Sequence, residues 1–341
     1  LDGAFAIAVV AADHPDQIVA ARRFSPLVIG LGEGENYVAS DMGAVREETD
    51  RVYVIADDEM AVVKRDGVEL FSFDGEPVTH DVYIIPWPAE AAQKGGHKHF
   101  MHKEIHEQPR AMRECLMGRL SDPAKGIRLD SLNMTEDEIK DLRKVMLTAC
   151  GTAYHAGLVG RFLLERLARI PSECDVAAEL RARDPVVLDN TLAMVVSQSG
   201  ETADTLVALR ELKEKGAKVI SVVNVVDSTI ARESDGVVYI QAGPEIGVAS
   251  TKAYTLQVLT LELIAAHFAD VRQTASEHDL IGLRRALLEL PEQAQTLLDR
   301  EDDVAEAAGK YYESPNSLCL GRGVNLPSAL EGALKLKEIF V

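Results

Sequence analysis

Thr191-Leu-Ala-Met-Val-Val-Ser-Gln-Ser-Gly-Glu-Thr-Ala-Asp-Thr205 reads as an apolar strand that stops on a loop of small and hydroxylated residues and then enters a helix. The helix should run over 204–215. The same grammar recurs on both sides of this stretch. Upstream, Lys144–Ala149 is a strand, Cys150-Gly151-Thr152 a turn, and 154–168 a helix with Leu158, Phe162 and Leu163 on one face. Downstream, Lys218–Val223 and 236–240 are strands, and Gly247-Val-Ala-Ser-Thr-Lys252 leads into a helix over 253–268. Val/Ile-rich strands alternating with helices predict a doubly wound parallel sheet covered on both faces. After a helical stretch over 277–310, a strand is expected at 316–320, then Gly321-Arg-Gly323 and a helix from Pro327, as if a second such unit were beginning.

The first 90 residues follow another pattern. Ala4–Ala12 is an apolar run expected to be a buried strand, with a turn at 13–16. Short strands follow at 17–21, 27–30, 37–40, 51–55, 60–64 and 68–71. Asp66-Gly67 and Asp74-Gly75 supply hairpin turns between the last of them. Closely spaced strands with little helix imply an antiparallel layer or sandwich. A connector over about 79–103 holds the only Trp between Pro86 and Pro88, then the flexible Gly95-Gly96-His97-Lys98-His99. His97, His99, His102 and His106 raise the question of a metal. With no carboxylate or thiol cluster nearby in sequence, the preferred reading is an exposed linker entering a helix near Met101.

Composition narrows the partners. The 341 residues carry 36 Lys+Arg against 55 Asp+Glu, a net charge of −19. That balance argues against nucleic acid or an anionic membrane as a partner, and no apolar run is long enough to span a bilayer. Cys115, Cys150, Cys174 and Cys319 lie far apart, which fits a reducing cytoplasm and no disulfide framework. The chain starts at Leu1 and stops in an uncapped helix, so both ends read as cuts within a longer protein.

Ligands of open parallel sheets sit beyond the carboxyl ends of the strands. Three such ends here are rich in Gly and hydroxyls: 150–152, 197–202 and 247–252. Single hydroxyls there would be helix caps. Ser197, Ser199 and Thr202 together on one strand end favour a phosphate held by neutral donors and a helix N-terminus. Neither G-x-G-x-x-G nor G-x-x-x-x-G-K-[ST] occurs, so a small phosphorylated metabolite fits better than a nucleotide. On the last helix, Lys335 and Glu338 share a face. They are either a surface ion pair or, facing a sugar phosphate, a pair suited to moving a proton between adjacent carbons.

Cys150-Gly-Thr, Ser197-Gln-Ser-Gly-Glu-Thr-Ala-Asp-Thr205, Glu245-Ile-Gly-Val-Ala-Ser-Thr-Lys-Ala253 and Leu330-Glu-Gly-Ala-Leu-Lys-Leu-Lys-Glu-Ile339 together resemble the glutamine–fructose-6-phosphate aminotransferase family. His102-Lys-Glu-Ile-His-Glu-Gln-Pro109 is similar to its interdomain segment, and Ser25–Gly30 with Ala39-Ser-Asp41 to the distal half of its glutaminase domain. The resemblance implies an α+β multidomain chain. Residues 1–90 would be the antiparallel β-rich remnant of an N-terminal-nucleophile glutaminase domain, and 91–140 a linker with connecting helices. Residues 141–275 would be a first α/β SIS domain, and 276–341 connecting helices and the truncated start of a second.

It also implies glutamine and fructose 6-phosphate as substrates, glucosamine 6-phosphate as product, a homodimer, and no metal or organic cofactor. By the same resemblance Ser197, Gln198, Ser199 and Thr202 hold the phosphate, and Thr152, Val248 and Ser250 line the sugar site. Glu338 would shuttle the proton between C1 and C2, with Lys335 assisting at a sugar hydroxyl. Ala153 stands where many relatives have Ser, which removes one hydroxyl contact. The amidotransferase cysteine would precede Leu1, and the Schiff-base lysine and ring-opening histidine would follow Val341, so the piece alone is expected to perform neither half-reaction. The rival readings are a SIS-type sugar-phosphate deglycase or isomerase, which would not need the β region, a non-catalytic sugar-phosphate regulator, which would need a basic helix-turn-helix, and a plain scaffold.

Overall fold

The computed structural model describes residues 1, 3–85, 87–89 and 93–339. Pro86 of the expected connector lies outside these, as do Phe340 and Val341. The chain divides into two compact units, Leu1–Gly96 with Glu201–Ala203, and His97–Gly200 with Asp204–Val341.

The first unit contains β1 (Phe5–Ala11), β2 (His14–Arg23), β3 (Val28–Leu31), β4 (Asn36–Ala39), β5 (Arg51–Val54), β6 (Glu59–Lys64), β7 (Gly67–Ser72), β8 (Pro77–Val78) and β9 (Tyr83–Ile84). They form two antiparallel sheets, of order β1-β2-β6-β7-β8 and β4-β3-β5-β9. Ala20, Ile29, Ala61, Val63 and Leu70, drawn from both sheets, share one core with Leu27 and Ile55. This is the antiparallel layering that the short strands and Asp-Gly turns predict. The first strand corrects an expectation: β1 is not buried. It pairs with β2 alone, and Val9 and Val10 are 50% and 73% exposed. An unbroken apolar run marks a strand, but burial requires a layer packed on its face, and all of β1 beyond Phe5 is exposed.

The second unit opens with α1 (Phe100–Leu116) and α2 (Glu136–Asp141). The α/β layer follows as β10 (Lys144–Ala149), α3 (Gly151–Leu163), β11 (Ser172–Val176), α4 (Ala177–Ala182), β12 (Thr191–Ser197), α5 (Ala203–Glu214), β13 (Lys218–Val223), α6 (Thr229–Glu233), β14 (Gly236–Tyr239) and α7 (Lys252–Val271). Three further helices follow: α8 (Glu277–Leu298), α9 (Glu301–Tyr311) and α10 (Asn325–Ile339). The sheet is wholly parallel, in the order β11-β10-β12-β13-β14. Every residue of β12 is buried, as a strand covered on both faces must be. Val145, Leu147, Leu192, Met194, Val196, Ile220 and Val222 present one face to a core shared with Ala156 of α3, Met112 of α1, and Leu256 and Leu263 of α7.

Two local expectations fail. The sequence reading has no strand at β11, because Ser172-Glu-Cys-Asp-Val176 is half polar. It pairs with β10 alone at the sheet edge, where polar side chains are tolerated. Conversely, no strand forms at 316–320: Leu318 and Leu320 are 83% and 81% exposed. An apolar segment becomes a strand only by pairing, and no described residue pairs with it. No helix among the described residues is long and apolar enough to cross a membrane.

Candidate active site

The candidate residues gather where the parallel strands end. Three turns follow β10, β12 and β14, and hydrogen bonds tie them to one another. Thr205 Oγ1 of α5 donates to Cys150 Sγ at 3.6 Å, joining the second turn to the first. Asn224, just past β13, joins the second to the third. Its backbone N–H donates to the Gln198 carbonyl at 3.2 Å, its Nδ2 to the Gly243 carbonyl at 2.7 Å, and its Oδ1 accepts from Ala242 N–H at 2.9 Å. Sequence reasoning passed over Asn224, since one Asn after a strand looks like a turn residue.

The turn after β12 is built by Ser197 and Gly200. Ser197 is 2% exposed and its Oγ accepts from Gly200 N–H at 3.0 Å, so this hydroxyl shapes the loop. Gly200 has φ +67°, and a Cβ there would lie 2.0 Å from Ser228 Oγ, so only glycine fits. Gln198, Ser199 and Thr202 are half-buried on the same turn, which runs into the N-terminus of α5.

The turn before α7 is held by carboxylates. Glu245 accepts from Ser250 Oγ at 2.8 Å and from the Thr251 and Ala253 N–H groups at 2.8 and 3.1 Å, capping α7. Ser250 is thus engaged by Glu245, while the Val248 side chain is 97% exposed. Glu104 of α1, 2% exposed, accepts from Ile246 N–H at 2.6 Å and Gly247 N–H at 3.0 Å. Burial pushes its carboxyl up, and those two N–H groups partly offset this. A Cβ on Gly247 would meet Glu104 Oε2 at 2.7 Å, which explains the glycine. Lys252, 1% exposed, pairs with Glu107 of α1 at 2.7 Å.

The last helix meets the first turn. Lys335 Nζ donates to Thr152 Oγ1 at 3.0 Å and to Glu338 Oε2 at 2.5 Å. Thr152 Oγ1 donates in turn to Glu331 Oε1 at 2.8 Å, and His155 Nδ1 meets Glu331 Oε2 at 2.7 Å. Lys335 Nζ also lies 3.3 Å from Glu331 Oε1. Lys335 and Glu338 are therefore not an isolated surface pair. Glu331 is 5% exposed; burial pushes its carboxyl up, but the His155, Thr152 and Lys335 donors outweigh burial and hold it below the usual range. Glu331 and His155 were missed as candidates. The available signal is spacing: Glu331, Lys335 and Glu338 stand at i, i+4 and i+7 on one helix face.

A cavity of about 530 Å³ lined by Arg128, Glu138, Lys218 and His267 lies elsewhere. Lys218 opens β13, so this hollow is at the amino edge of the sheet. The carboxyl edge, where the hydroxyl-bearing turns and the Lys335–Glu338 pair lie, is the better candidate.

The parallel layer is the α/β fold of a SIS domain, and the family model described as SIS domain matches residues 138–267. The glutamine–fructose-6-phosphate aminotransferase (isomerizing) of Symbiobacterium thermophilum is 49% identical over 99% of this chain, and that of Caldanaerobacter subterraneus subsp. tengcongensis 46% identical over 99%. The chain spans 56% of the length of each. The solved C-terminal domain of glucosamine-fructose-6-phosphate aminotransferase from Francisella tularensis superposes with a TM-score of 0.68 at 36% identity, covering 72% of this chain and 69% of that one. This chain belongs to the glutamine–fructose-6-phosphate aminotransferase family.

Proposed function

We propose that the chain is part of an enzyme that transfers the amide nitrogen of glutamine to fructose 6-phosphate and isomerises the product to glucosamine 6-phosphate. Residues 1–90 would be the distal part of the glutaminase domain, 91–140 a linker with connecting helices, 141–275 the first SIS domain, and 276–341 connecting helices and the truncated start of a second. The observation that carries this reading is the cluster of Thr152, Glu331, Lys335 and Glu338 just past β10, where Cys150 accepts a hydrogen bond from Thr205 of α5.

In this reading Ser199 and Thr202, with Ser197 and Gln198 setting the turn, hold the phosphate of the open-chain sugar. Neutral donors at a helix N-terminus do this without Arg or Lys, which suits an acidic protein. The phosphate grip and Thr152 fix the sugar carbons relative to Glu338, with Val248 and Ser250 contributing from the third turn. The Glu338 carboxylate takes the proton from C1 and returns it at C2, acting as base and then acid. Lys335, oriented by Thr152 and Glu331, polarises a sugar hydroxyl. We take the working form as a cytoplasmic homodimer.

Calorimetric titration of the chain with fructose 6-phosphate, and separately with inorganic phosphate, tests the phosphate assignment. Ser199→Ala and Thr202→Ala should each weaken both ligands about tenfold, the worth of one hydrogen bond to a charged group. Unchanged affinities in both folded variants would overturn it.

A further inference from the structure

Outside this site, the histidines of the connector acquire a partner that no local pattern announces. His102 and His106 are four apart on the first two turns of α1, so they share a face. Helix α8 runs antiparallel along α1, with Arg113 paired to Glu292 at 3.1 Å. The elbow between α8 and α9 therefore returns to the start of α1, carrying Glu301 as the first residue of α9. This corrects the expectation that no carboxylate completes the cluster. His102 Nε2 lies 2.5 Å from Glu301 Oε1, His106 Nε2 3.2 Å from Glu301 Oε2, and the two Nε2 atoms 3.2 Å from each other.

We propose that His102, His106 and Glu301 form a binding site for a divalent transition-metal ion of the zinc class. Three potential ligand atoms lie within 4.8 Å of one another. Nitrogen and oxygen ligands about 2.0–2.1 Å from a tetrahedral ion stand roughly 3.3–3.4 Å apart, close to the two 3.2 Å separations here, while the 2.5 Å His102–Glu301 contact is a direct hydrogen bond that an ion would have to open. A plain ion pair accounts for one imidazole on the carboxylate. In the neutral rings one Nε2–H donates to the other Nε2, and shifting that proton to Nδ1 leaves two lone pairs and a carboxylate converging on a cation. Two imidazoles with one carboxylate suit zinc, cobalt or nickel, while magnesium and calcium prefer oxygen alone.

The other nitrogen of His102 is also occupied. His97 Nδ1 lies 3.2 Å from His102 Nδ1, a placement that fixes the ring and leaves Nε2 for the metal. His97 is thus a positioning residue and not a ligand. The ion would fasten the N-terminal turn of α1 to α9. Because Glu104 on that turn holds the Ile246 and Gly247 amides, the clamp would also steady the loop before α7.

The test uses the chelator-stripped 341-residue chain, titrated with zinc against a chromophoric indicator, with magnesium as control and cobalt as a spectroscopic probe. One zinc equivalent should bind, cobalt should show the visible bands of a low-coordinate nitrogen/oxygen site, and zinc should raise the melting temperature. His106→Gln and Glu301→Gln should each abolish the zinc-dependent rise. His97→Phe should retain the site with affinity about 10–100-fold weaker, as for other residues that orient a ligand. Glu301 lies at an exposed helix start, so Glu301→Gln keeps the test decisive should His106→Gln fail to fold. Zinc binding equally tight in the native chain and Glu301→Gln, or no zinc binding by the native chain, overturns the proposal.

Discussion

Replacing Glu331 by Gln preserves the shape of the side chain and removes its charge. In the native chain this carboxylate, 5% exposed, is bonded to Thr152 and His155 and lies 3.3 Å from Lys335. Hydrogen bonds involving an ionised partner are about twice as strong as neutral ones, roughly 1.5–3 against about 1 kcal/mol. Lys335 keeps its bond to Glu338, so the loss falls chiefly on the other two donors. About 2 kcal/mol, roughly thirtyfold in the folding constant, is expected at neutral pH. The pH dependence is the sharper part. The folded-state pKa of Glu331 is lowered, so its contribution is fully present above the unfolded value and is lost as pH falls through the folded one. The stability gap between the native chain and Glu331→Gln should be complete near pH 7 and close progressively below about pH 4.5. Guanidinium unfolding followed by helical circular dichroism reports it, because the described helices of ten residues or more belong to the second unit. A gap that stays constant down the acid range, or a Lys335→Met change that adds independently to Glu331→Gln, would refute the argument.

Gly200→Ala should lower stability by about 2 kcal/mol or more, since it demands both a left-handed backbone and space that Ser228 fills; the same unfolding assay reads it. Lys252→Met removes the 2.7 Å partner of Glu107, which keeps Lys103 and Arg110 at 3.6 Å, and should cost about 1–2 kcal/mol. Glu107→Gln should cost less in that background than it does alone, and equal costs would count against the pairing. Burial pushes the Cys174 thiol up to about 12 and raises that of Cys115, so both should resist alkylation in the folded chain, while exposed Cys319 reacts first, as peptide mapping would show.

Much of the fold was open to a reading of local chemistry. The expected strand at Lys144–Ala149 matches β10 residue for residue, and the run at 191–196 falls one residue short of β12. Such strands are unbroken Val/Ile/Leu runs because both faces are covered, and Gly and Ser mark their ends. Edge strands gave no such signal. The half-polar β11 was passed over, and the apolar β1 was expected inside, because position in a sheet is a property of the neighbours.

The same division separates what each level of description decided. Hydrophobic period, turn residues and helix spacing are short-range, so the linear chain alone determined a β-rich segment, then a parallel α/β layer, with hydroxyl-rich turns at its strand ends and Lys335 and Glu338 on one helical face. Only the folded chain brought Glu331 to Thr152 and His155 across separations of 179 and 176 residues, and Glu301 to His102 across 199. Such meetings depend on how helices pack on a sheet and on one another, and the identity of a distant carboxylate leaves no periodic trace in the sequence around the groups it will join.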